Sequence, residues 1–200
     1  LIVYLIPVAG LLALAYAFWR AAWIRGQDYG TERMEELSGF IRDGAMTFLK
    51  KEYSMLSVFV VVVAVALGVL YAQTATADGL AAGQMAMVSV SFIVGALCSG
   101  LAGFFGMRVA TQANVRTTNA AREGLAPGLK VSFAGGAVMG MSVVGLAVLG
   151  MSLLLILFGG LFGVDLVAEV TTQAEKIQYK NLLNVVTGFS LGASSIALFA

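Results

Sequence analysis

Val131-Ser-Phe-Ala-Gly-Gly-Ala-Val-Met-Gly-Met-Ser-Val-Val-Gly-Leu-Ala-Val-Leu-Gly-Met-Ser-Leu-Leu-Leu-Ile-Leu-Phe158 carries no charged residue, and serine is its only polar side chain. A bilayer core is crossed by about 20 consecutive apolar residues in a helix, so this stretch reads as a membrane span. Gly159-Gly160 and Gly163 follow it and predict the end of the helix near residue 158. Working outward, further charge-free runs cover 1–19, 53–77, 79–107 and 181–200. The expected architecture is all-α: a polytopic bundle of about five transmembrane helices near 1–24, 53–77, 82–107, 131–158 and 181–200.

Composition agrees with that class. The 200 residues are 60% hydrophobic and 12% charged, with a mean hydropathy of +0.92; a soluble domain is far less apolar. There is no histidine and one cysteine, Cys98, which excludes His-based triads, His-ligated zinc and an intrachain disulfide. A net charge of +1 without a basic block gives no argument for nucleic acid. Ala15-Tyr16-Ala17 has the form of a signal-peptidase site, but Arg20 and Arg25 follow the apolar run where a signal peptide carries its charge ahead of it.

Arg20, Arg25, Arg33, Arg42, Lys50 and Lys51 lie between the first two spans, and Arg108, Arg116, Arg122 and Lys130 between the third and fourth. The positive-inside rule makes both segments cytoplasmic and the N-terminus external. Residues 31–50 place Met34, Leu37, Ile41, Ala45 and Phe48 on one helical face, which predicts an amphipathic cytoplasmic helix with Thr31 as its N-cap.

Small residues recur every fourth position in two spans: Ser91, Gly95, Ser99 and Gly103 in the third, Gly136 and Gly140 in the fourth. Where lipid supplies no hydrophobic drive between helices, such faces allow close backbone approach, so all six are expected at helix contacts. The fifth span differs, with Asn184, Thr187, Gly188, Leu191, Ser194 and Ser195 on one side and Val185, Phe189, Ile196 and Phe199 on the other. Uncharged polar groups in a membrane helix serve either packing or a wet path, and spacing alone leaves both open.

Four stretches, in this order, resemble the membrane-bound, ion-pumping inorganic pyrophosphatases. They are Met34-Glu-Glu-Leu with Ile41-Arg-Asp-Gly-Ala-Met-Thr-Phe-Leu49 and Tyr53; Gly106-Met-Arg-Val-Ala-Thr-Gln-Ala-Asn-Val-Arg-Thr117; Phe133-Ala-Gly-Gly-Ala-Val-Met-Gly-Met141; and Gly188-Phe-Ser-Leu-Gly-Ala-Ser-Ser-Ile-Ala-Leu-Phe199. The resemblance covers residues 31–200 and implies a homodimeric pump of about sixteen helices in a bacterial inner membrane. It implies hydrolysis of pyrophosphate with Mg2+ on the cytoplasmic side, coupled to export of H+ or Na+, with K+ as a stimulant in some members.

In that family the first four helices stand in an outer ring and the fifth in an inner one. Leu191 matches an apolar position on the ion path, with Ser194 and Ser195 one turn toward the cytoplasm. The family's Arg, Gly-rich turn and Asp-rich segment follow the stretch matched by Leu198-Phe-Ala200. Catalytic and Mg2+-binding residues are therefore expected beyond residue 200, and none is assigned here.

Gly163-Val-Asp-Leu-Val167 is partly similar to the family's acidic motif but lacks its flanking Asp and Lys, so Asp165 is given no role. Ala134 stands where the family often has a basic residue, which would remove a cytoplasmic anchor of the fourth helix. A secondary transporter or a structural membrane subunit are the alternative readings; the first commonly shows internal repeats, and the second leaves the polar fifth span without a purpose.

Overall fold

Backbone N–H and C=O groups in a bilayer must be satisfied within their own segment, and long helices do this without water. The computed structural model of the chain, which describes residues 2–77, 82–166 and 172–199, is built of them. A short 3-10 turn (Ile2–Leu5) leads into α1 (Ile6–Arg25), followed by α2 (Glu32–Ala77), α3 (Ala82–Ala121), α4 (Leu125–Phe162) and α5 (Gln173–Phe199). All five are long and apolar enough to cross a membrane.

The helices outrun the charge-free runs. At 1.5 Å per residue the 46-residue α2 and 40-residue α3 reach about 69 and 60 Å, twice the thickness of a bilayer core. The amphipathic segment expected at 31–50 is the first part of α2, continuous with the second span. Thr31 Oγ1 accepts from the Met34 N–H at 3.3 Å, closing the start of that helix.

The helix of the fourth span continues to Phe162, past the expected end near 158. Phe158 and Phe162 stand one turn apart, both buried, with ring centroids 6.3 Å apart in the core shared with α5. Burying a second aromatic ring outweighs the roughly 1 kcal/mol that each helical glycine costs, so Gly159 and Gly160 stay helical. Termination falls instead to Gly163, at φ 65°, with Val164 N–H donating to the Gly159 carbonyl at 2.8 Å.

α3 is the central element. It packs on α2, α4 and α5, whereas α1 lies mainly on α4. One apolar core joins α3, α4 and α5 through Val88, Leu154, Phe158, Leu182, Val185 and Phe189. A second joins α1, α3 and α4 through Ala17, Ile24, Ala113, Ala134 and Val138. Ala134 is fully buried there.

Candidate functional site

α5 begins on a reciprocal cap. The Glu175 N–H donates to Thr172 Oγ1 at 3.3 Å and the Thr172 N–H to Glu175 Oε2 at 2.9 Å. This capping box starts the helix at Gln173, so α5 enters the membrane already wound. The Tyr179 hydroxyl donates to the Asp165 carbonyl, tying the helix start to the chain that leaves α4.

From there the two faces of α5 diverge. Leu182, Val185, Val186, Phe189 and Ile196 are buried. Between them Gly188 and Gly192 let backbone meet backbone: a Cβ at Gly188 would collide with the Val88 carbonyl, and one at Gly192 with the Phe92 carbonyl. Gly95 answers from α3, where a Cβ would collide with the Phe189 carbonyl. Ser91 is fully buried in the same seam. Gly188 thus belongs to the packed face, not to the polar side on which its spacing had placed it.

The opposite face is open. Leu191 is 50% exposed; Thr187 and Ser194 are exposed, and Asn184 and Ser195 half-buried. The Thr187 hydroxyl donates to the Asn184 carbonyl at 2.6 Å and the Ser195 hydroxyl to the Leu191 carbonyl at 2.8 Å. These hydroxyls are satisfied along their own helix rather than by a neighbour. The face offers polarity without charge, since 181–199 holds no Asp, Glu, Lys or Arg.

The remaining small residues divide. Ser99 and Gly103 border an open cleft of about 440 Å³ lined by α2, α3, α4 and α5. A Cβ at Gly103 would lie 2.7 Å from the Tyr53 hydroxyl, which donates to the Gly100 carbonyl at 2.8 Å. Glu52 also lines this otherwise apolar space, its Oε2 buried without a hydrogen-bond partner. A Cβ at Gly136 or Gly140 would meet nothing within 4 Å, so neither lies at a close contact with another described helix; Gly136 borders a cleft shared with Ala110, Thr111 and Asn114 of α3. The α4 glycines at contacts are others: Gly145 meets Leu14 and the Gly10 carbonyl of α1, and Gly150 meets Phe189 and Cys98.

At the end of the bundle that carries the basic segments, Arg116 does work that spacing did not reveal. Its Nε donates to the Gln27 carbonyl at 2.9 Å and Nη2 to the Arg25 carbonyl at 3.3 Å, while Nη1 donates to the Gln112 carbonyl at 2.8 Å. One guanidinium thereby satisfies carbonyls left open where α1 ends and fastens the α1–α2 connection to α3. Asn119 Nδ2 adds a bond to the Asp28 carbonyl at 3.4 Å.

Among the described residues no three His, Cys, Asp or Glu side chains converge as a metal site. The described residues do not fit an Mg2+ centre.

The fold defines an integral membrane protein, with a polar but uncharged helix face left open beside a tightly closed seam. A family model described as inorganic H+ pyrophosphatase matches residues 11–200, and the chain belongs to that family. It is 45% identical over 194 residues to a protein of Clostridium tetani provisionally named a K(+)-stimulated pyrophosphate-energized sodium pump, covering 96% of this chain and 24% of the relative. The K(+)-stimulated pyrophosphate-energized sodium pump of Thermotoga maritima is 37% identical over 198 residues, covering 98% of this chain and 25% of its own length. A K(+)-insensitive pyrophosphate-energized proton pump of Caldanaerobacter subterraneus is 33% identical over 201 residues, covering 98% and 27%. The chain thus spans about a quarter of the length of the curated relatives it matches.

Proposed function

We propose that the whole protein to which this chain belongs hydrolyses inorganic pyrophosphate and uses the reaction to export H+ or Na+ from the cytoplasm. The family match across residues 11–200 carries this reading. Relatives bearing sodium-pump and proton-pump names match at similar identity, so the transported ion stays open between the two, as does K+ stimulation.

In this proposal α1 to α4 form part of an outer support and α5 contributes its open face to the ion path. Leu191 would line that path as an apolar constriction, with Ser194 and Ser195 offering hydroxyls one turn toward the cytoplasm. What supports the assignment is the asymmetry of α5: Gly188 and Gly192 meet α3 and Phe189 is buried, while Thr187, Leu191 and Ser194 are exposed. Uncharged hydroxyl and amide oxygens can replace part of a cation's hydration shell along such a path.

Mg2+ would neutralise the pyrophosphate and polarise its bridging bond, held by residues outside this chain. The protein would work as a homodimer in a bacterial inner membrane, its N-terminal end external and the connections 26–31 and 122–124 cytoplasmic.

Washed membranes carrying the whole protein provide the test. Mg2+-dependent hydrolysis of pyrophosphate, accompanied by uptake of H+ or Na+ into inverted vesicles, is the expected result. Membranes without hydrolysis above the vector control would favour a transporter or a structural subunit instead.

A further inference from the structure

Arg20 and Lys130 are the ionisable residues nearest the apolar runs of α1 and α4 at the face where both carry their basic charge. The two helices pack side by side there, and both cations settle on one ring. The Arg20 guanidinium carbon lies 4.7 Å from the Trp23 indole centroid, and Lys130 Nζ lies 5.6 Å from the same centroid. Trp23 is held as a platform by the core between α1, α3 and α4. Arg20 also stands 5.7 Å from the Trp19 ring, which is 60% exposed.

A single indole ring offsets only part of the charge of the two cations that meet it. Neither has a carboxylate partner: the ion pairs among the described residues join Arg33 to Glu36 and Arg42 to Asp43. The Arg20 Nε–H is buried and has no acceptor among the described residues. The cluster therefore presents two positive charges, one ring platform and an unmet donor, and an anion would complete it.

The surroundings identify the kind of anion. One helical turn deeper on the same faces stand Tyr16, four residues before Arg20, and Phe133, three residues after Lys130; they are 40% and 73% exposed. Charge at the headgroup level above exposed aromatic rings matches a phosphodiester joined to acyl chains better than a free phosphate, which has no apolar part to cover them.

We propose that the α1–α4 seam at Arg20, Trp23 and Lys130 is a binding site for the headgroup of an anionic phospholipid. The guanidinium and the ammonium supply the charge that holds the lipid headgroup, and its acyl chains run along Tyr16 and Phe133. The site is independent of which ion the protein moves, and of whether it hydrolyses pyrophosphate.

Native mass spectrometry of the whole protein, delipidated and titrated with phosphatidylglycerol or phosphatidylcholine, tests it. Wild type should retain phosphatidylglycerol in preference to phosphatidylcholine. Each of R20Q and K130Q should weaken that retention by about fivefold, and the double variant by the product of the two. The charge-preserving pair R20K and K130R should keep most of it, which separates loss of charge from loss of fold. Excess inorganic phosphate should leave the bound phosphatidylglycerol in place. Equal retention of the two lipids, undiminished phosphatidylglycerol binding by the folded double variant, or displacement of the lipid by inorganic phosphate would each overturn the proposal.

Discussion

The two faces of α5 differ in composition and do opposite things. On one, Gly188 and Gly192 bring the helix backbone against the carbonyls of Val88 and Phe92. On the other, Asn184, Thr187, Leu191 and Ser194 lie open, their polarity spent along the helix or left free. Like an amphipathic helix in water, α5 has an apolar held side, but two glycines on it bring backbone against backbone, and its polar side is the open one. The contrast teaches that close backbone contact at Gly188 and Gly192, together with the buried Leu182, Val185 and Phe189, fixes this helix without using its polar residues for packing.

The comparison breaks if the held face tolerates bulk. Gly192→Leu should cost about 3 kcal/mol or more, because the side chain would have to occupy the space of a carbonyl on α3; recovery of monodisperse protein by size-exclusion chromatography should fall to background. A finer version pairs identical changes. Gly192→Ala should destabilise by about 1–3 kcal/mol. Gly140→Ala, on a face where a Cβ meets nothing, should gain up to about 1 kcal/mol from helix propensity. Thermal unfolding of the two variants should therefore shift in opposite directions, and shifts of the same sign would contradict the distinction between the two glycine pairs.

Smaller effects sharpen the picture at the helix entrance and on the open face. Thr172→Ala removes the cap shared by both faces and should cost about 1 kcal/mol, read as faster amide exchange over the first turn of α5. Ser194→Ala should change unfolding by less than about 0.5 kcal/mol, because the side chain is exposed and no helix of this chain leans on it. A larger loss would mean that Ser194 supports packing after all.

Much of the fold was legible because charge is expensive in a bilayer: the charge-free runs of this sequence mark all five spans. Helix ends were less so. α3 runs on to Ala121 and α5 starts at Gln173 because helices continue into water when capped or packed, and the Thr172-x-x-Glu175 box that fixes the second start is a signal the sequence does carry.

The seam was half legible. A repeat of small residues says that a face can approach another, but not which face has a partner: Gly136 and Gly140 fit the pattern yet make no close contact with another described helix, while Gly188 and Gly192 fit it and do. Arg116 lay inside a motif, but nothing in its spacing says that it reaches across 89 residues of chain to the Gln27 carbonyl.

The central claim is that α5 is held by one face and passes ions along the other, and Leu191→Ala in the whole protein tests it most directly. In reconstituted vesicles the number of ions moved per pyrophosphate hydrolysed should fall by about half or more, while protein yield and thermal unfolding stay within about 0.5 kcal/mol of wild type, as for an exposed side chain. An unchanged ratio, or a loss of folded protein comparable to that of the Gly192 variants, would contradict it.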